Sequence, residues 1–170
     1  VEHGFYYDFR FAAPFEESEL GEVERRMRRI LKRPARFERS EMAWDEAAAS
    51  LEQRGQPFNA EYARDLHATQ GVERISFYTS GPFVDMCEGP HVESTRDIPA
   101  DTFQLDAVAG AYWRGSEHNP MMTRIYGLAF ESAAALQDFL AKRALARERD
   151  HRKLGAELDL FVISDEIGKG

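Results

Sequence analysis

In Ile75-Ser76-Phe77-Tyr78-Thr79-Ser80-Gly81-Pro82, the residues Ile75, Phe77 and Thr79 alternate with a period of two. That spacing predicts a strand, and Ser80-Gly81-Pro82 delivers it into a loop. A Gly/Pro-rich loop fed by a strand is a usual place for a functional site. Just beyond lies Asp85-Met86-Cys87-Glu88-Gly89-Pro90-His91, which puts a carboxylate, a thiol and an imidazole close together in the chain. Its Gly-Pro turn lets Cys87 and His91 converge.

Thiolate and imidazole are favoured zinc ligands, but a zinc site needs three or four donors. No second Cys/His pair stands at ligand spacing, and His3, His67, His118 and His151 are isolated in the sequence. Two other readings stay open. Cys87 can be a small buried hydrophobe with His91 a hydrogen-bonded loop residue. A nucleophilic Cys87 needs an activated thiol, and nothing local marks one.

Upstream, Phe5, Tyr7, Phe9 and Phe11 share one face of a predicted strand whose other face carries Tyr6, Asp8 and Arg10. Such an aromatic strand is expected in a core, with a pocket or base-stacking role as the alternative. After Pro14, Leu20, Val23, Met27, Ile30 and Leu31 fall at helical spacing, with acidic residues early and Arg28, Arg29, Lys32 and Arg33 late. These charges complement a helix dipole, and Pro34 ends the run. The basic stretch from Arg25 to Arg39 is interleaved with Glu38 and preceded by Glu22 and Glu24, which reads as a solvated face rather than a phosphate-binding one.

A short strand is expected from Arg36 to Ser40, and a helix marked by Trp44, Ala48 and Leu51 should stop near Gly55. Asn59 is expected to cap a third, short helix through Leu66. Downstream, Phe103 to Leu105, Ala111 to Arg114 and Met122 to Phe130 read as strands. The last two form a hairpin through the turn from Gly115 to Pro120. Ser132 can cap a long helix carrying Leu136, Phe139 and Leu140. Its apolar stripe ends where the charged residues 147–153 begin, so the helix is expected to leave the domain.

At 170 residues, 43% hydrophobic and 12% aromatic, the chain has material for one core plus an appendage. No run approaches the roughly 20 apolar residues needed to cross a bilayer, and no signal-peptide pattern opens the chain. One cysteine excludes an intrachain disulfide and fits a soluble, cytoplasmic protein with no membrane partner. A net charge of -8 argues against a free-standing nucleic-acid binder, so contact with RNA would need other domains.

Five ordered segments resemble threonyl-tRNA synthetases. They are Gly4-Phe5-Tyr6-Tyr7-Asp8-Phe9, Gly81-Pro82-Phe83-Val84-Asp85-Met86-Cys87-Glu88-Gly89-Pro90-His91-Val92, Gly110-Ala111-Tyr112-Trp113-Arg114-Gly115, Arg124-Ile125-Tyr126-Gly127, and Arg149-Asp150-His151-Arg152-Lys153-Leu154-Gly155 continuing to Leu158-Asp159-Leu160-Phe161. The resemblance implies an α+β fold, a mainly antiparallel sheet packed by helices, with a C-terminal linker helix. Residues 1–131 correspond to the family's editing domain with its N-terminal part missing, 132–157 to the linker helix, and 158–170 to the start of the class II catalytic core.

The function it implies is that of a proofreading module within a threonine–tRNA ligase, hydrolysing serine wrongly esterified to tRNA(Thr). Alternatives are a non-catalytic tRNA-positioning domain and a free-standing editing hydrolase. By carry-over, His91 and Cys87 are half of a His/Cys cluster, resembling in some relatives a metal site, and Asp85 is a polar residue of the same pocket. The family's His-x-x-x-His pair belongs upstream of Val1. Many relatives have a lysine near Asn59, and an arginine where Glu88 stands. The parent would use ATP, Mg2+, threonine and the tRNA(Thr) acceptor end, carry zinc in its ligase core and act as a homodimer; this segment itself is expected to hold no cofactor.

Overall fold

A computed structural model describes residues 3–149. The expected end of the linker helix, His151, most of the fifth resembling segment and residues 158–170 lie outside the described residues. Two compact units emerge, one from residues up to Glu24 together with those from Asp101 onward, the other Arg25–Ala100. The α+β class with antiparallel sheets packed by helices is as expected, but each unit has its own three-stranded sheet.

In the second unit, β2 (Phe37–Ala43), β3 (Arg74–Ser80) and β4 (Phe83–Met86) lie in the order β2-β3-β4, all antiparallel. The alternation in β3 sends Ile75 and Phe77 into the core, where they are 3% and 2% exposed. There they meet Ala47, Ala48 and Leu51 of α2 (Trp44–Gln53) and Ala60 and Ala63 of α3 (Pro57–Gln70). The small alanines let the two helices approach each other and the sheet. Met42, Val84 and Met86 join this packing from the same sheet face.

Two local expectations are corrected here. Asn59 does not cap α3: Gln56 is the N-cap and Pro57 opens the helix, because proline's fixed φ and missing N–H suit that first position. The segment after Gly81-Pro82 is not loop throughout. Residues 83–86 form β4, since Phe77, Tyr78, Thr79 and Ser80 offer a ladder that pairs with them.

In the first unit, β1 (Gly4–Phe9), β5 (Phe103–Tyr112) and β6 (Met121–Ala129) lie in the order β1-β6-β5. The β5–β6 hairpin is as expected, but the two short strands anticipated from 103 to 114 are one. A register shift between Leu105 and Ala107 accommodates the extra residue Asp106, which breaks the alternation without ending the strand. The core holds Phe103, Leu105, Met122, Ile125, Leu128 and Leu136. The aromatic strand is less buried than expected, with Phe5, Tyr6 and Tyr7 36%, 47% and 45% exposed. Among the described residues β1 is an edge strand, with β6 as its one neighbour.

The expected amphipathic helix is α1 (Leu20–Leu31), and it ends before Pro34. Glu24 is not simply solvated: its carboxylate accepts the Leu105 N–H at 2.8 Å. Ser132 caps α4 (Ala133–Glu148) by accepting the Ala135 N–H at 3.2 Å. Arg143 on α4 forms a two-pronged ion pair with Asp106 at 2.8 and 2.6 Å, tying the helix to the bulge. Among the described residues no helix is long and apolar enough to cross a membrane.

Candidate functional site

The face of β3 opposite its core side carries Ser76 and Tyr78, and on it the chain after β4 is assembled. Asp85 stands across from Tyr78 in the ladder. One step beyond β4, the Cys87 N–H donates to the Ser76 carbonyl at 3.1 Å, and the Ser76 hydroxyl donates to the Cys87 carbonyl at 2.6 Å. Two bonds from one residue therefore fix the cysteine backbone.

The chain then reverses through Gly89, whose φ is +84°, and a cis Gly89-Pro90 peptide. A Cβ at Gly89 would lie 2.2 Å from the Tyr78 hydroxyl, so only glycine admits this close passage. His91 returns over Tyr78, the two rings stacked with centroids 4.0 Å apart and planes 26° apart. Phe37 meets the imidazole at 5.2 Å in a tilted arrangement. His91 Nε2 reaches Cys87 Sγ at 3.1 Å. The convergence expected from the Gly-Pro turn is thus observed.

The thiol–imidazole contact allows the thiol to donate to Nε2, a neutral imidazole to donate Nε2–H to the sulfur, or an imidazolium to donate to a thiolate. His91 is exposed and Cys87 half-buried, so solvent can reach the pair. Asp85 is held differently: Oδ1 accepts the Met86 N–H at 2.9 Å and the Asn59 amide at 3.3 Å. The helix start that carries Asn59 is thereby tied to the strand that carries Asp85.

As a metal centre, the pair is short of donors. Among the described residues no group of three or more His, Cys, Asp or Glu side chains could hold an ion, and zinc needs at least three protein ligands. Among the described residues the other histidines lie away from this pair in the sequence. His67 stacks on Trp44 at 4.2 Å, with Nδ1 facing the Val72 carbonyl at 3.3 Å. His118 lies in the β5–β6 turn, and His3 packs against Phe130 and Phe139.

Sequence reasoning did not single out Ser76, Tyr78 or Phe37. The signal was present for the first two, since a strand that buries Ile75 and Phe77 must present Ser76 and Tyr78 on the other side.

The family model of the threonyl and alanyl tRNA synthetase second additional domain matches residues 75–126, which places this antiparallel α+β segment in that class. That stretch holds nearly all of β3, β4, Cys87, His91, β5 and β6 as far as Tyr126. The threonine–tRNA ligase of Acetivibrio thermocellus is 46% identical over 98% of this chain and 25% of its own length. Those of Citrifermentans bemidjiense and Borreliella burgdorferi are 44% and 42% identical over all of this chain, covering 26% and 28% of theirs. The chain belongs to the threonyl-tRNA synthetase family, as a segment corresponding to its second additional domain. It spans about a quarter of the length of the curated relatives it matches.

Proposed function

We propose that this segment is the proofreading module of a threonine–tRNA ligase and hydrolyses Ser-tRNA(Thr). The observation that carries the reading is the 3.1 Å contact between His91 Nε2 and Cys87 Sγ at the mouth of the β3–β4 sheet. It lies inside the stretch matched by the family model. A second site has a physical reason: serine lacks one methyl of threonine, a difference worth only about 1–3 kcal/mol in a binding pocket.

In the proposed reaction a water oxygen attacks the ester carbonyl carbon while His91, its Nε2–H donated to Cys87 Sγ, takes the water proton at Nδ1. The tetrahedral intermediate collapses with cleavage of the bond from the acyl carbon to the ribose oxygen. That oxygen takes the proton back, and serine and tRNA leave. Cys87 orients the imidazole through Nε2, and neighbouring donors stabilise the oxyanion. Asp85 adds a fixed carboxylate to the same pocket. No covalent enzyme intermediate forms in these steps.

In this reading residues 1–131 belong to the editing domain, 132–157 to a linker helix and 158–170 to the class II core. The whole protein would charge tRNA(Thr) with threonine using ATP and Mg2+, as a cytoplasmic homodimer with zinc in its ligase core.

The test is deacylation of Ser-tRNA(Thr) and Thr-tRNA(Thr) by the chain extended upstream to include the family's His-x-x-x-His pair. Selective loss of serine, abolished by His91→Ala, is the expected result. An extended protein that leaves Ser-tRNA(Thr) intact would make a non-catalytic, tRNA-positioning domain the better account.

A further inference from the structure

We propose that Tyr78 is the positioning residue of the His91–Cys87 pair: its ring, rather than the loop backbone alone, sets where the imidazole lies. As a statement about hydrolysis this rests on the editing reading above; as a statement about geometry it does not.

Three observations converge on this side chain. Its ring stacks on His91 at 4.0 Å, closer than Phe37 at 5.2 Å. Gly89 passes so near that a side chain there would overlap the Tyr78 hydroxyl and Cζ. The ring also projects from β3, paired on both sides with β2 and β4, so its Cα is held by two ladders. Among the described residues the loop from 87 to 91 is tied to the sheet by the Ser76–Cys87 bonds at its start and by the ring contacts of His91 at its end. A histidine at the end of an exposed loop keeps many rotamers open, and a rigid aromatic floor removes most of them. The face of the imidazole is then fixed by Tyr78 and its Nε2 edge by Cys87 Sγ. This division leaves the hydroxyl of Tyr78 dispensable and its ring essential.

The experiment compares Tyr78→Phe and Tyr78→Leu in the upstream-extended chain. The His91 ring protons are followed by NMR, Cys87 by its rate of alkylation, and Ser-tRNA(Thr) hydrolysis by kcat and KM separately. Backbone amide spectra verify that each variant is folded. Stacking on a phenol ring shifts the His91 ring protons upfield, so Tyr78→Leu should move them downfield and change the Cys87 alkylation rate. It should lower kcat on the order of tenfold or more with little change in KM, as expected when a reacting group loses its orientation. Tyr78→Phe should retain the wild-type shifts, alkylation rate and kcat.

Unaltered His91 shifts and Cys87 reactivity in folded Tyr78→Leu would overturn the proposal. So would equal damage from Tyr78→Phe, which would make the hydroxyl the important group. Should Leu prevent folding, Tyr78→Met removes the aromatic ring with a flexible side chain and is read by the same shifts, with unchanged shifts again overturning the proposal. If the extended protein does not hydrolyse Ser-tRNA(Thr), the editing reading fails, while the NMR and alkylation results still decide the role of Tyr78.

Discussion

The Asn59 side-chain amide donates to Asp85 Oδ1 across 3.3 Å, joining the first turn of α3 to β4. A neutral donor therefore holds this carboxylate. Asn59→Ala should slow Ser-tRNA(Thr) hydrolysis several-fold, in keeping with a hydrogen bond worth about 1 kcal/mol. Asn59→Lys puts a cation beside Asp85 and, in the hydrolysis proposed above, should raise the rate on the order of tenfold. Single-turnover deacylation by the extended chain measures both.

Asp8 and Arg124 face each other across β1 and β6, with Nε and Nη2 donating to the two carboxylate oxygens at 2.7 and 2.8 Å. The guanidinium also lies 4.0 Å above the Tyr6 ring. The Asp8 hydrogen bond is the main cause of Arg124 holding its proton beyond the ordinary arginine range. Asp8→Asn should therefore lower stability by about 1.5–3 kcal/mol, because it weakens two charge-assisted bonds and leaves a half-covered cation. Urea denaturation checks this, and adding Arg124→Gln should recover part of the loss.

Gly127 lies directly opposite Phe5 in the β1–β6 ladder, and the phenyl ring covers it. A Cβ at Gly127 would lie 2.3 Å from Phe5 Cζ. Gly127→Ala should destabilise the first unit by about 1–3 kcal/mol through overpacking. Combining it with Phe5→Leu, which withdraws the ring, should restore part of the stability in thermal unfolding.

Hydrogen bonds from Arg39 and then Arg74 hold the Glu41 carboxyl below its ordinary value of 4.5. For a depressed carboxyl the sign is fixed: the stabilisation is present above the unfolded-state value and disappears as pH falls through the lower folded-state value. Because these side chains are exposed, salt should screen the effect. Comparing Glu41→Gln with the parent from pH 6 to 2 should show a stability difference that shrinks on acidification. Molar salt should largely erase it.

Much of the fold was legible because period and punctuation are local. The alternation of Ile75 and Phe77 marked a buried strand face, Pro34 ended α1, and Ser132 capped α4. The Gly-Pro turn allowed Cys87 and His91 to converge, and they do. The misread elements depend on partners far along the chain. Four residues are too few for β4 to declare itself without the β3 ladder, and Asp106 breaks the β5 pattern by a bulge whose carboxylate is taken up by Arg143 on a later helix.

The amino-acid sequence by itself determined the order and type of most elements, the thiol–imidazole pair and the family resemblance, since each is written in neighbouring residues. Only the tertiary structure decided that Asn59 turns to Asp85 rather than capping a helix, and that Tyr78 underlies His91. It also left the aromatic strand β1 at a sheet edge. A side chain's local pattern states which face it occupies, whereas its partner is chosen by whichever distant segment that face meets when the chain folds.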